Sequence, residues 1–567
     1  MATLGAFTFV LHSHLPYARL AGMWPHGEEW VHEGIAETYL PLLCALDDLT
    51  EDGVSWHLTL GITPILAAQL GDPSILERFV TYMTERVAWA DADVERFRLE
   101  GDTHLAQLAE HERDWHAASL NMFLTHYNGD LLGAFKRMQE AGNLEIATSA
   151  ATHGFLPLLS RDSSIHGQLH TGVTASTALF GAAPKSVWLP ECAYRPAESA
   201  TEHGVPIRRP GIERFVAEEN IEVFFSETHT VEGGHQLGKA SGKVAGPYGH
   251  SRRSEVHPAN ANEHGVGGST FRPYWVGDAP GQVAVLARNP RTGQQVWSAS
   301  HGYPGDYAYR EFHKKDSESG MRYWRIGGRE LDMGDKPPYD PAAADFRARE
   351  HAAHFAALVE DEIGRHHAYT GSFGVISAAY DTELFGHWWF EGVTWLREVL
   401  RLLAVSPTVE ITTASQIIEQ HPPDRVLQLE RSSWGNNGDY STWSNPEVDW
   451  MWPLIHQAEL RMETLVALHP SATGNLNRLL NQVARELLLL QSSDWPFLVT
   501  TGQAKEYAVE RFTSHLERFS HLAEMAETPG GMDPTGLGYL TEIEHLDNPF
   551  PLIDYRDWAN RQGVDVG

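Results

Sequence analysis

The chain has 567 residues, enough for roughly two to four domains and a large hydrophobic core. Its 43 Lys and Arg against 75 Asp and Glu leave a net charge of −32, and so acidic a surface repels nucleic acid and anionic lipid. The 42% hydrophobic and 21% charged content is that of a folded globular protein and excludes a disordered chain. We therefore expect a soluble protein with neither a nucleic-acid nor a membrane partner.

Short apolar, β-type runs recur along the chain, and helical patterns separate most of them. These runs predict strands at 6–11, 56–60, 144–148, 186–189, 221–225, 283–287 and 373–377, with a weaker eighth at 409–411. Strands that alternate with helices indicate parallel βα units, and seven or eight such strands close naturally into a barrel. The sequence therefore predicts an α/β barrel.

Two other stretches and the C-terminal part of the chain depart from this alternation. We predict a barrel over 1–422 with a helical insertion at about 91–141, followed by a C-terminal helical domain over 423–567. The segment 232–269 is glycine-rich throughout and longer than most loops that only connect two secondary-structure elements. It is expected to be either a flexible loop that closes over a site or a disordered surface insertion.

Cysteine usage and the N-terminal sequence indicate the compartment. Cys44 and Cys192 lie far apart, so neither a disulfide framework nor a thiolate zinc site is expected. The start, MATLGAFTFVLHSHLPY, has no basic segment ahead of an apolar stretch, and no apolar run reaches the length of a membrane span. The sequence therefore predicts a cytoplasmic protein.

His12 and His14, in HSHLPY, directly follow the first predicted strand. Two imidazoles at this spacing could supply half of a metal site; the alternative is a pair of hydrogen-bonding histidines. A metal needs a third ligand, and the sequence offers neither HExxH nor an Asp/His cluster. We therefore favour sugar-binding histidines and predict no metal site.

Carboxylates follow two later strands. Glu191 lies in WLPECAYRP after the fourth strand, and Asp381 begins DTELFGHWWFEG after the seventh. A lone Glu at a turn is usually a surface residue, but the flanking prolines and aromatic residues here favour a side chain held at the mouth of the barrel. Glu383 and Glu391 are further candidates, with Glu391 favoured as a cap or ion-pair partner. Two carboxylates from two strand ends are what cleavage of a glycosidic bond requires.

Aromatic residues are numerous, with 18 Trp, 18 Tyr and 22 Phe. Many tryptophans lie beside Gly, His, Asp or Asn, and flat aromatic faces near polar groups suit a sugar ring. Any single Trp is more often a core residue than a sugar platform. Trp297, Trp434 and Trp443 nevertheless stand in polar surroundings, Trp24 follows the HSHLPY segment, and His153 follows the third strand.

Long segments of the chain resemble, in the same order, glycoside hydrolase family 57 and within it the 1,4-α-glucan branching enzymes. They are FVLHSHLPY, WPHGEEW, ATHGFLPLL, WLPECAYRP, QVWSASHGYPGDYAYREFHKK, YDTELFGHWWFEG, SSWGNNGDYSTW, LLLLQSSDWPFL and TGQAKEYA. The resemblance implies a (β/α)7 barrel with inserted helices and a C-terminal α-helical domain. It also implies that Glu191 is the catalytic nucleophile and Asp381 the general acid/base. The residues that it implies to bind substrate are His12, Trp24, His153, Tyr248, Trp297, Trp434 and Trp443.

The implied activity is that of a retaining glucanotransferase without a cofactor. It cleaves α-1,4 glucan (amylose, amylopectin or glycogen) and transfers the chain to a 6-hydroxyl, forming an α-1,6 branch. The alternative within the family is a 4-α-glucanotransferase or an α-amylase-like hydrolase that uses the same carboxylates. From other classes, a catalytically silent glucan-binding scaffold and a metal-dependent deacetylase or mannosidase-like barrel that uses His12 and His14 stay open.

Overall fold

The computed structural model describes residues 3–23, 25–202, 205–233, 244–246, 249–251, 267–277, 279, 281–297, 302–328 and 330–561. Trp24, Tyr248 and most of the predicted loop at 232–269 lie outside the described residues. The strands are β1 (Gly5–Ser13), β2 (Leu58–Ile62), β3 (Leu144–Ser149), β4 (Ser186–Trp188), β5 (Glu198–Glu202), β6 (Val205–Arg209), β7 (Val223–Ser226), β8 (Val244–Gly246), β9 (Gly249–Ser251), β10 (Tyr274–Val276), β11 (Ala284–Ala287), β12 (Gly374–Asp381), β13 (Val409–Ile411) and β14 (Val426–Leu427).

A parallel sheet closes into a barrel. Its strands lie side by side in the order β12, β1, β2, β3, β4, β7 and β11, each parallel to the next. A parallel bridge between Arg288, just after β11, and Ser377 of β12 joins the two ends of this sheet. Each of the seven strands predicted between 6 and 377 overlaps one of these strands. The predicted (β/α)7 barrel is therefore confirmed.

The barrel strands are buried on both faces because helices cover the outside. Every residue of β1 is buried, which is why this strand reads as a nearly continuous apolar run. The weaker eighth strand is also present as β13, which pairs with the first residues of β1 and lies outside the ring. In the register between β1 and β12, His12 lies opposite Asp381, so the carboxyl ends of these two strands bring both side chains to one end of the barrel.

Helices make up most of the remaining chain. They are α1 (Glu28–Gly34), α2 (Leu40–Glu51), α3 (Pro64–Leu70), α4 (Pro73–Glu100), α5 (Thr103–Asn121), α6 (Leu131–Glu140), α7 (Asp162–Phe180), α8 (Ile212–Glu218), α9 (Thr228–Glu232), α10 (Pro290–Trp297), α11 (Pro341–Thr370), α12 (Gly392–Leu403), α13 (Ala414–Gln420), α14 (Met451–Leu468), α15 (Gly474–Leu490), α16 (Asp494–Thr501), α17 (Lys505–Glu527) and α18 (Pro534–Leu546). Among the described residues, no helix has both the length and the apolar composition needed to cross a membrane.

The helices between β2 and β3 begin earlier than the sequence pattern suggested. Asp72 caps α4 by accepting from two backbone N–H groups of its first turn, and the helix ends at Gly101, whose φ is 80°. Phe79 and Met83 lie on the buried face of the same helix. The long helix α4 therefore starts at Pro73, before the predicted position 91.

The C-terminal helices α14 to α18 pack against the barrel. One continuous apolar cluster contains Phe224 of β7 and Phe155 and Leu189, which follow β3 and β4, together with Leu487 and Trp495 of the C-terminal helices. This shared core holds the segment between α15 and α16 against the barrel. The division of the chain into domains at 422 and 423 stays a prediction.

Candidate active site

Four of the predicted site residues follow barrel strands at their carboxyl ends, where barrel enzymes place their chemistry. They are His12 at the end of β1, His153 after β3, Glu191 after β4 and Asp381 at the end of β12. A hydrogen bond of 3.0 Å joins Nε2 of His12 and Nε2 of His153. Nδ1 of His153 lies 3.7 Å from Oε1 of Glu191. The structure thus brings these predicted residues together.

Both carboxylate oxygens of Glu191 are held by hydrogen bonds. The indole N–H of Trp434 donates to Oε2 at 2.7 Å, and the hydroxyl of Ser493 donates to Oε1 at 3.0 Å. The backbone of Glu191 is in the left-handed region, with φ 62° and ψ 22°, and His153 and Cys192 share a positive φ. Such backbone strain costs about 1–3 kcal/mol per residue and persists where the surroundings fix it, commonly at functional sites.

Burial is the largest influence on the charge of Glu191, and it raises the pKa of this carboxyl to about 7. The hydrogen bonds from Trp434 and Ser493 act in the opposite direction, because they stabilise the ionised form. The nearby Asp494 carboxylate raises the same pKa, whereas His14 lowers it. The ionised form of Glu191 therefore depends on its two hydrogen-bond donors.

Asp381 has a pKa well above its usual range. Burial is again the main cause, and the carboxyls of Glu383 and Glu191 add to the shift, while Arg288 opposes it. Two carboxyl groups that repel each other in this way divide into one ionised and one protonated group, which is the pattern of an acid and a nucleophile. Arg288 itself is paired with the buried carboxylate of Glu227, and the sequence patterns had identified neither residue.

The histidines form a stacked, hydrogen-bonded cluster. The ring of His12 stacks on Trp188 with centroids 4.6 Å apart, and the ring of His14 stacks on His153 at 3.9 Å. Nε2 of His14 donates to the carboxylate of Asp494 at 3.1 Å. Burial holds the pKa of His12 and that of His153 well below their usual range, so both imidazoles are neutral near pH 7. The described His, Cys, Asp and Glu side chains that are grouped closely enough to hold a metal include none of these residues.

The predicted tryptophans are in different environments. Trp434 is partly exposed and bonds to Glu191, and Trp297 is half-buried at the end of α10. Trp443, which the resemblance implies to bind substrate, is only 1% exposed. Its ring packs under the backbone of Gly435, where an added Cβ would lie 2.4 Å from the indole. In this structure Trp443 therefore supports the loop that carries Trp434.

Besides Arg288 and Glu227, three further residues near the site were not predicted from the sequence. Ser493 and Asp494 lie between α15 and α16, in QSSDWPF, and contact Glu191 and His14. Their signals in the sequence are a cluster of small polar residues after the apolar run LLLL and the place of both residues in LLLLQSSDWPFL, one of the segments that resemble the family. Trp30 belongs to the same WPHGEEW segment as Trp24, and it lines a cavity beside the site.

A parallel barrel with two buried carboxyl groups, Glu191 and Asp381, at the carboxyl ends of its strands is typical of one class of protein, the barrel enzymes that act on glycosidic bonds. The sequence profile of Glycosyl hydrolase family 57 matches residues 8–430, and the chain belongs to this family. The profile described as 1,4-alpha-glucan branching enzyme, C-terminal, matches residues 454–558. Ser493 and Asp494 lie within this second segment.

Proteins of known type resemble the chain over nearly its whole length. A 1,4-alpha-glucan branching enzyme from Thermococcus kodakarensis is 43% identical, over 97% of this chain and 78% of that protein. The crystal structure of a family 57 branching enzyme from Thermococcus kodakaraensis, in complex with glucose, superposes with a TM-score of 0.88 at 41% identity and covers 98% of this chain and 97% of that chain. An alpha-amylase from Thermotoga maritima superposes with a TM-score of 0.79 at 31% identity, covering 98% of this chain and 99% of that chain.

Proposed function

We propose that the protein is a 1,4-α-glucan branching enzyme, which cleaves an α-1,4 glucan and transfers the freed chain to a 6-hydroxyl. The observation that carries the proposal is the contact between two matched segments. Ser493, from the segment similar to the C-terminal part of branching enzymes, donates to Glu191 of the barrel. The relatives over nearly the full chain include an enzyme named for this activity.

In the first step, ionised Glu191 attacks C1 of a glucosyl unit while protonated Asp381 gives its proton to the oxygen of the leaving chain. The bond from C1 to that oxygen breaks, and a covalent glucosyl-enzyme forms. The raised pKa of Asp381 keeps its proton available at neutral pH. The donors Trp434 and Ser493 keep part of Glu191 ionised under the same conditions.

In the second step, Asp381 acts as a base and takes the proton of a 6-hydroxyl on an acceptor chain. That oxygen attacks C1, the bond to Glu191 breaks, and an α-1,6 linkage with retained configuration results. Water that enters instead gives hydrolysis. Neutral His12 and His153 can exchange hydrogen bonds with sugar hydroxyls beside Glu191 without adding a charge, and Trp297 and Trp434 offer aromatic faces to the glucan.

Incubation of the protein with amylose tests this function. Branching is expected to lower the iodine absorbance and to produce α-1,6 anomeric proton signals, with few new reducing ends. A large rise in reducing ends without α-1,6 signals would instead indicate an α-amylase-like hydrolase, and redistributed chain lengths without either change would indicate a 4-α-glucanotransferase. Glu191→Gln protein, which should be inactive, is the negative control. Enzymatic debranching of the product then gives the length of the transferred chain.

The proposed substrates are amylose, amylopectin and glycogen, and we assign the reaction to the cytoplasm as part of glycogen biosynthesis. Both cysteines are free thiols, with Cys192 buried and Cys44 partly buried. Free thiols without a disulfide are typical of a reducing compartment.

Replacement of Trp434 by Phe is expected to shift the acid limb of the pH profile of kcat/KM to higher pH by about one unit. The indole N–H stabilises the ionised form of Glu191. A hydrogen bond to a charged group contributes about 1.5–3 kcal/mol, and a shift of one pKa unit corresponds to about 1.36 kcal/mol. Loss of this bond raises the pKa of the nucleophile, and activity is lost as pH falls through that pKa. The measurement is kcat/KM for glucan hydrolysis against pH.

The matched control for this prediction is Trp89→Phe. Trp89 is an exposed tryptophan on α4, outside the site, and its replacement should leave the acid limb in place. An acid limb of Trp434→Phe that coincides with that of the unchanged protein, or that lies at lower pH, would contradict the role assigned to the indole.

A further inference from the structure

Two histidines lie one helical turn apart on α7, a helix of the outer layer of the barrel. His166 and His170 are four positions apart, so their side chains share one face of the helix, and their rings stack with centroids 5.2 Å apart. Two histidines at this spacing supply two ligands of the zinc ion in HExxH proteins. Here Gly167 follows the first histidine in place of the glutamate that acts as a base. The pair therefore suits a structural ion better than a catalytic one.

A carboxylate faces both histidines. Glu219 directly follows α8, and its two oxygens lie 3.1 and 3.2 Å from Nδ1 of His170. Nδ1 of His166 lies 3.6 Å from Oε1 of Glu219, which is longer than an ordinary hydrogen bond. The three ligand atoms, one from each residue, all lie within 4.8 Å of one another. Bonds of about 2.0–2.2 Å in a tetrahedral zinc site place neighbouring ligand atoms about 3.3–3.6 Å apart, so an ion needs only small rotations of these side chains.

The surroundings of the three residues have an excess of negative charge. Glu218 is paired with Arg561 at 2.7 Å. Within the described part of the chain, neither Glu219 nor Asp557 forms an ion pair with a lysine or an arginine. Burial raises the pKa of Asp557 to about 6, and the carboxylate of Glu219 adds to the shift. A divalent cation would offset the two carboxylates that have no such partner.

The imidazoles are in states that a metal ion can use. Burial, with Arg561 and His170 nearby, lowers the pKa of His166 to about 3, so this ring is neutral at pH 7 and can offer a lone pair. The hydrogen bond that His170 donates to Glu219 raises the pKa of His170. An ion bound between these two side chains would take the place of that proton. Two imidazoles and a carboxylate suit Zn²⁺ better than Ca²⁺ or Mg²⁺, which prefer oxygen ligands.

The cluster lies where three segments of the chain meet. The C-terminal turn Tyr555–Trp558, which contains Asp557, packs on α7, and an added Cβ at Gly167 would lie 2.4 Å from the ring of Trp558. The side chain of Glu219 is 8% exposed, whereas that of His170 is 41% exposed. An ion can therefore reach the cluster from solvent, and once bound it would join α7 to the end of α8.

We propose that His166, His170 and Glu219 form a binding site for one Zn²⁺ ion, which stabilises the packing of α7 against the end of α8 and the C-terminal turn. Asp557 is the neighbouring carboxylate that attracts the ion. The site is separate from Glu191 and Asp381, which follow barrel strands, and it takes no part in the reaction. The proposal does not rest on the proposed function.

Calorimetric titration with Zn²⁺, after removal of bound metal with a chelator, tests the site. We expect one ion per chain in the tightest class of sites. His170→Gln and Glu219→Gln should each weaken this binding at least about 10-fold, since loss of even an outer-shell partner costs about 10–100-fold. Both variants should keep the melting temperature of the metal-free protein, which shows that they fold.

His111→Gln is the matched control, because the chain contains 31 histidines and exposed ones can bind Zn²⁺ weakly. His111 is an exposed histidine on α5, and its replacement should leave the tightest binding unchanged. Unchanged affinity in His170→Gln protein, or an equal loss in His111→Gln protein, would mean adventitious binding to surface histidines and would overturn the site.

Thermal melting tests the stabilising role. Saturating Zn²⁺ is expected to raise the melting temperature of the unchanged protein and of His111→Gln protein by roughly 2–5 °C relative to EDTA, and to leave that of His170→Gln protein in place. A melting temperature of the unchanged protein that Zn²⁺ does not raise would overturn this role. Glucan hydrolysis below the melting temperature should be equal in Zn²⁺ and in EDTA, and its loss in EDTA would contradict a site separate from catalysis. Because binding and melting need no glucan, their results stand whether or not the protein forms α-1,6 branches.

Discussion

Glu191→Gln protein is expected to lose both glucan branching and glucan hydrolysis, by on the order of 10⁴-fold or more. The two reactions share the formation of the glucosyl-enzyme, and an amide cannot replace the carboxylate as nucleophile. The change is nearly isosteric, and the amide oxygen can still accept from Trp434 or Ser493. The loss should therefore come from chemistry and not from altered packing.

The measurements are the release of reducing ends and the formation of α-1,6 linkages from amylose, with thermal melting to check the fold. Glu459→Gln is the matched control, because burial also raises the pKa of Glu459 to about 7. Glu459 lies on α14 and accepts from Ser160 and Gln491, so its replacement tests for a general effect of losing a buried carboxyl. Hydrolysis that survives in Glu191→Gln protein would refute the covalent mechanism.

The barrel could be predicted from the sequence because its strands are buried on both faces. Such strands read as short apolar runs, and each of the seven runs predicted between 6 and 377 overlaps a barrel strand. Glu191 and Asp381 could be placed at one end of the barrel for a related reason, since polar residues directly after buried strands meet there in a parallel barrel.

The support around Glu191 could not be predicted in the same way. Ser493 follows Glu191 by 302 positions, and no local pattern shows that the turn before α16 packs against the barrel. Trp434 and Trp443 illustrate the same limit, because both stand in polar loops, yet one bonds to Glu191 and the other is buried beneath Gly435. Burial depends on contacts between distant parts of the chain, and so does the raised pKa of Glu191.

Asp381→Asn protein is expected to lose activity on amylose by about 10²- to 10⁴-fold, the usual contribution of general acid–base catalysis. The oxygen of a glucan leaving chain needs a proton, and the amide cannot supply one. A glucosyl donor with fluoride as leaving group needs far less assistance, so the first step should proceed. The second step should then stall, because neither water nor a 6-hydroxyl is deprotonated, and the glucosyl-enzyme should accumulate.

Mass spectrometry of the intact protein after addition of an α-maltooligosyl fluoride measures this accumulation as an adduct on Asp381→Asn protein. Azide attacks without losing a proton, so its addition should discharge the adduct and restore turnover. Glu191→Gln protein is the control and should form no adduct.

The variant Glu383→Gln tests which of the two neighbouring carboxyls is the acid/base, because burial also raises the pKa of Glu383 to about 7, which would suit an acid. If Glu383→Gln protein accumulated the adduct and responded to azide while Asp381→Asn protein did neither, Glu383 would be the acid/base. The expected result is the reverse, since Asp381 ends β12 opposite His12, whereas the carboxylate of Glu383 is held by Tyr39 and the backbone of His14.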